Sequence, residues 1–213
     1  MQLYLSSFRV GERTDELCRM AAGRQIGLIP NALDGSRSMA LGARDAAVSD
    51  LESLGIDVSM LDLRDYFGDA AGLRRHLAGF DGVWVHGGNT FVLRQAMRLS
   101  GFDQALADIA DADFLYGGFS AGVCILAPRL EGLQHVDDPD ARPYGDGDVV
   151  WDGLGILPYL VLPHYQSDHP ESSLVDNEVD YCTRQGISFR TLRDGDVIVG
   201  RYTRSEGFVE GAC

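Results

Sequence analysis

The chain has 213 residues, 45% hydrophobic and 23% charged, with 32 acidic against 18 basic side chains and a formal net charge of −14. That is chain enough for one globular domain spanning 1–213 with a full core, and its acidity excludes nucleic acid, whose phosphates need a basic face. Cys18, Cys124, Cys182 and Cys213 are scattered with no C-x-x-C pair. This excludes a zinc ribbon or a disulfide framework and leaves reduced thiols.

The N-terminal stretch shows no basic region followed by an apolar one, and no apolar run approaches the roughly 20 residues that span a bilayer. The expectation is a cytoplasmic protein with no membrane partner.

In chain order, QLYLSS reads as a strand, and QIGLIPNA (25–32) as a second that ends at Pro30-Asn31. Residues 37–55 carry Ala43, Ala47, Leu51 and Leu54 at helical spacing. A strand over 56–63 and a short helix over 69–80 follow. Residues 82–88 read as a strand that breaks at Gly87-Gly88, and 89–101 as a helix. DFLYGGFSAGVCIL (113–126) reads as strand, turn and helix, with a break at Gly117-Gly118. From about 127 to 155 the chain is rich in Asp, Gly and Pro and weakly periodic. It predicts a long excursion carrying a short hairpin. A strand (159–165), a helix (171–186) and a C-terminal hairpin turning at Asp194-Gly195 complete the chain. Strands alternating with helices predict an α/β fold: a doubly wound, mostly parallel sheet with helices on both faces and its site at the carboxyl ends of the strands.

Gly118-Phe119-Ser120-Ala121-Gly122 matches G-x-S-x-G, where a strand turns sharply into a helix and small neighbours let the two approach. The central side chain then projects from the sheet edge. The following N–H, that of Ala121, points into the same space, where developing negative charge is favoured. A helix-capping serine is the competing reading. HGGNTF (86–91) sits at another strand end, where Gly87 and Gly88 could offer a second backbone N–H, and where Asn89 or Thr90 could cap a helix. His164, just after an apolar strand and a proline, is a candidate general base. Acidic residues of 131–148 could orient its ring. His169, Asp168 and Glu171 invite a metal reading with His164, which Pro170 and the preceding strand oppose, so no metal is expected. Cys124, one turn into an apolar helix, reads as a buried core residue. Trp84 and Trp151 read as core or pocket wall.

HGGNTF, GFSAG and LPHY, in this order, resemble the peptidase E and cyanophycinase family of serine peptidases, over roughly residues 25–190. The resemblance implies the class I glutamine amidotransferase-like fold and a Ser–His–Asp/Glu triad in the chain order serine, acid, histidine. It implies Ser120 as nucleophile, His164 as base, and an oxyanion hole at the N–H groups of Gly88 and Ala121. Gly87, Asn89 and Thr90 would line the substrate site. The family spacing puts the acid near 135–138, so Asp137 and Asp138 are the candidates, with Glu131 behind them.

Serine where related amidotransferases carry cysteine argues against ammonia chemistry. Aspartyl dipeptidases of the family carry arginines shortly after the histidine, whereas here no Arg or Lys occurs between His164 and Arg184. The expected activity is hydrolysis of amide bonds in small peptides, dipeptidase- or exopeptidase-like, through an acyl-enzyme and without a cofactor. A homodimer is implied only by the resemblance. An esterase or amidase on the same triad, and an idle binding module on the same scaffold, are the alternatives.

Overall fold

A computed structural model describes residues 1–35, 40–145 and 147–211, so Cys213 and the start of the expected 37–55 helix lie outside the described residues. The strands are β1 (Gln2–Ser6), β2 (Ile26–Ile29), β3 (Val58–Met60), β4 (Gly82–Val85), β5 (Leu115–Phe119), β6 (Leu160–Leu162), β7 (Phe189–Thr191), β8 (Val197–Thr203) and β9 (Gly207–Glu210). The α-helices are α1 (Thr14–Ala21), α2 (Ala40–Ser53), α3 (Ala70–Leu77), α4 (Thr90–Ser100), α5 (Phe102–Asp108), α6 (Ala121–Cys124) and α7 (Ser172–Gln185).

A seven-stranded sheet runs β3-β2-β4-β5-β1-β8-β9. β3, β2, β4, β5 and β1 pair in parallel, and β8 and β9 add an antiparallel edge. The central strands are continuous apolar runs because both faces are covered. Alternate residues feed two cores. Leu3, Leu5, Val83, Val85 and Tyr116 point to the face covered by α3–α7. Tyr4, Trp84, Leu115 and Phe119 point to the face covered by α1 and α2. The expected doubly wound α/β architecture is therefore present.

Three local expectations need correction. Gly117 and Gly118 do not break a strand but lie inside β5. A Cβ on Gly117 would sit 2.5 Å from the Trp84 ring, and one on Gly118 would sit 2.8 Å from the Val85 carbonyl oxygen, so close packing excludes side chains there. Among the described residues of the 127–155 excursion, the expected hairpin is reduced to one isolated antiparallel bridge, Arg129 to Asp152, and a 3-10 turn at Leu133–His135. The expected hairpin about Asp194-Gly195 does not form; the C-terminal hairpin is instead β8–β9, turning at residues 204–206. β7 pairs in parallel with β6 in a separate two-stranded sheet, while β8 pairs with β1 and β9. Asp194-Gly195 does turn the chain, with the Asp196 N–H on the Arg193 carbonyl at 2.9 Å, but its flanking strands belong to different sheets.

Among the described residues no helix is long and apolar enough to cross a membrane.

Candidate active site

Ser120 joins β5 to α6 at φ 49°, ψ −118°. That left-hand conformation is costly for a residue with a Cβ and persists only where the surroundings over-determine it. Here they do. The Ser120 N–H donates to the Ser6 carbonyl (3.3 Å), and its own carbonyl accepts the N–H groups of Val123 (2.8 Å) and Cys124 (2.9 Å). The flanking glycines allow β4 to approach. A Cβ on Gly122 would lie 2.4 Å from the Val85 carbonyl oxygen. Ser120 makes no side-chain cap to α6, so the capping alternative is not realised.

The loop after β4 closes over the elbow. A Cβ on Gly87 would stand 2.8 Å from the Phe119 ring and 3.0 Å from the Ser120 Cβ. Gly88 adopts φ +132°, with the Ala32 carbonyl oxygen 2.5 Å from where a Cβ would be. Among the described residues no protein acceptor takes the Gly88 or Ala121 N–H. Asn89 caps α4, its Oδ1 accepting from Phe91 (2.9 Å) and Val92 (3.0 Å). Thr90 donates its N–H to Asp137 Oδ2 at 2.8 Å.

His164 comes from the second sheet. β6 and β7 pair in the register Leu162 to Thr191, which carries the segments after both strands side by side. The Leu192 N–H donates to the Leu162 carbonyl and the Tyr165 N–H to the Leu192 carbonyl, both at 2.9 Å. His164 Nδ1 then meets Asp194 Oδ1 at 2.7 Å. A carboxylate only accepts, so Nδ1 carries the proton and Nε2 is the unprotonated, basic edge, with Glu171 Oε2 4.0 Å from it. His164 is 2% exposed, and burial holds its pKa below the ordinary imidazole value against the opposing pull of Asp194.

Buried Ser7 ties this pair to the main sheet. Its Oγ accepts the His164 N–H (2.9 Å) and donates toward Asp194 Oδ1 (3.2 Å) and the Leu192 carbonyl (3.4 Å). Asp194 is held further by its own N–H on Ser167 Oγ at 2.8 Å. Phe8 packs edge-on against the rings of His164 and Phe119, so the segment after β1 touches both the histidine and the residue before Ser120. Ser120 Oγ bonds to no described protein group and is partly exposed.

The acid is where the sequence reading goes astray. Asp137 is spent on the Thr90 N–H and is raised by burial to about 7. Asp138 gives its carbonyl to Asn89 Nδ2 (2.8 Å) and its Oδ1 to the Asp140 N–H (2.9 Å). Glu131 pairs with Arg129 (2.8 Å), which holds its carboxyl below the usual range. The partner of the imidazole is instead Asp194, thirty residues after the histidine.

His169, which Pro170 and the preceding strand keep from sharing a helical face with His164, stacks on it at 3.7 Å and 8° through the loop. One ligand atom each of His164, His169 and Glu171 lies within 4.8 Å of the others. A metal sits in the plane of each imidazole that binds it, and no point lies in two stacked planes at once. The arrangement is a ring contact. Buried Cys124 donates its Sγ–H to the Val161 carbonyl, and burial lifts its pKa well above the usual thiol value, so it is an inert core residue.

Comparison with known proteins identifies the family. Residues 9–200 match the model of peptidase family S51. The chain is 30% identical over 193 residues to Peptidase E of Streptomyces coelicolor, covering 88% of this chain and 70% of that protein. It is 34% identical over 125 residues to a Listeria innocua protein named as an uncharacterized peptidase, covering 58% of this chain and 56% of the relative, so it matches little more than half of that relative's length. A crystal structure from Listeria monocytogenes EGD-e, described as a candidate Peptidase E, superposes with a TM-score of 0.77 at 23% identity, covering 100% of this chain and 98% of that one, which is a likeness of fold. By the span of its match to the family model, the chain belongs to peptidase family S51.

Proposed function

We propose that the protein is a serine peptidase that hydrolyses amide bonds of small peptides. The observation that carries this reading is the His164–Asp194 pair at 2.7 Å, joined through the Phe8 ring to Phe119, which immediately precedes a serine held in a strained elbow. Nε2 of His164 takes the Ser120 proton as Oγ attacks the scissile carbonyl carbon. Asp194 fixes the ring tautomer and stabilises the imidazolium that forms. The N–H groups of Gly88 and Ala121 receive the oxyanion, and losing one such donor typically costs about 3 kcal/mol of transition-state stabilisation. His164 then protonates the leaving amine, and water repeats the sequence on the acyl-enzyme. The part-exposed serine at an open sheet edge suits short peptides better than folded protein.

The test is labelling by a fluorophosphonate probe, with turnover of a panel of dipeptide p-nitroanilides and p-nitrophenyl esters. Stoichiometric labelling at Ser120 and cleavage of the anilides are expected. Ser120→Ala should lose both, with kcat/KM down by at least about a thousandfold. A folded Ser120→Ala protein that keeps wild-type turnover rejects the reading, and cleavage of esters alone reassigns it to an esterase.

A further inference from the structure

A cavity of about 260 Å3 lies on the α1/α2 face of the sheet, and its walls belong partly to the active site. Phe119 immediately precedes Ser120. His86 immediately precedes the Gly87-Gly88 loop, and its ring packs edge-on against Phe119 at 4.7 Å. Phe8 is shared with His164 and His169. Trp84, 2% exposed, lines the cavity from β4. The space exists because α2 presents Ala43, Ala46 and Ala47 to it, at the i, i+3, i+4 spacing of one helix face. Methyl groups at all three leave open a volume that larger side chains would fill.

The lining also defines the occupant. Each ring nitrogen of His86 faces a backbone carbonyl, Nδ1 that of Gly87 (2.7 Å) and Nε2 that of Ala43 (3.2 Å); burial lowers its pKa, and the neutral ring donates its single N–H to one of the two. The charged lining residues are Arg9 and Asp50, which pair with each other, Nε to Oδ2 at 2.6 Å. Among the described residues no uncompensated cation faces the space to receive a carboxylate. Concave, mostly apolar cavities with a few fixed polar groups are the usual form of a small-ligand site.

Resting on the peptidase reading above, we propose that this cavity is a specificity pocket for an uncharged apolar side chain, branched aliphatic or aromatic, on a residue flanking the scissile bond. The preferred substrates are then short peptides carrying a leucine- or phenylalanine-like residue rather than an acidic one.

The test is the ratio of kcat/KM for dipeptide anilides carrying Leu or Phe to those carrying Ala or Asp, with the residue placed on either side of the cleaved bond. In the wild type, Leu and Phe should exceed Ala by about tenfold or more, the range that added methylenes supply in an apolar pocket. Ala43→Leu should fill the space and reduce that ratio at least about tenfold. Ala46→Leu, from the exposed side of the same helix face, should move it in the same direction, with melting curves showing that the variants fold. A wild-type ratio near one, or an unchanged ratio in folded Ala43→Leu, overturns the proposal. Calorimetry of Leu-Leu amide binding to Ser120→Ala, with and without Ala43→Leu, reads the pocket independently of turnover. Binding that Ala43→Leu abolishes supports it even if no peptide is cleaved, and equal or absent binding in both rejects it.

Discussion

Asp194 is the residue that decides how the imidazole is used. Because its carboxylate accepts the Nδ1 proton, Asp194→Asn offers an amide that can favour the opposite tautomer, and kcat should fall by about a thousandfold or more. The pH profile gives an independent reading. In the proposed mechanism catalysis needs His164 neutral, so the rate should fall as the pH drops through its pKa. Burial lowers that pKa, which places the acid limb of kcat/KM below 6.5. Asp194 is the main influence raising it, so Asp194→Asn should carry the limb further down. Asp137→Asn should leave it in place, since Asp137 bonds the Thr90 N–H and does not touch the ring. A limb that moves with Asp137 and not with Asp194 would overturn the assignment. Ser120 and His164 were legible in the sequence because each carries a local mark, glycines around one and a strand-end proline before the other. Asp194 carried only the mark of a turn, and its partnership with His164 depends on a strand pairing between residues far apart in the chain.

At the scale of elements, the elbow depends on how closely α6 lies against β4. Gly122→Ala would drive a methyl against the Val85 backbone, which has no room to rotate away. The expected cost is about 1–3 kcal/mol, seen as a drop in melting temperature of several degrees together with lost turnover as the proposed oxyanion donors shift. Gly42→Ala is the control. It lies within α2 with nothing inside 4 Å of the added atom, so it should hold or raise the melting temperature. Equal losses in the two variants would show that the glycine requirement is not steric. The central strands were legible as apolar runs, and the main helices as periodic segments. The C-terminal pairing was not, because β7 and β8 flank a good turn signal and yet their hydrogen bonds go to β6, β1 and β9. Sequence proximity favours a hairpin; the ladders on offer elsewhere in the molecule win.

For the molecule as a whole, acidity extends into the interior. Glu178 on α7 is 2% exposed, and among the described residues its carboxyl has no hydrogen-bond or ion-pair partner. Burial, with Asp137 and Glu171 as like charges, pushes its pKa up to about 9 from an ordinary 4.5. The unfolded chain therefore gives up this proton near 4.5 while the folded chain keeps it to about 9, so stability falls as the pH rises across that window. Glu178→Gln should remove the loss. Its melting temperature should exceed the wild type's by several degrees at pH 8 and match it near pH 4.5. A variant no more stable at pH 8 would show that Glu178 ionises freely in the folded protein.

The serine rides on one hydrogen-bonded ladder, and the histidine with its carboxylate rides on another. Ser7 stitches the seam between them. Misalignment of about 1 Å at a reacting centre can cost about a hundredfold in rate. A small slip along that seam would therefore disarm the serine while both ladders stayed intact, which makes activity a more fragile property of this chain than its fold.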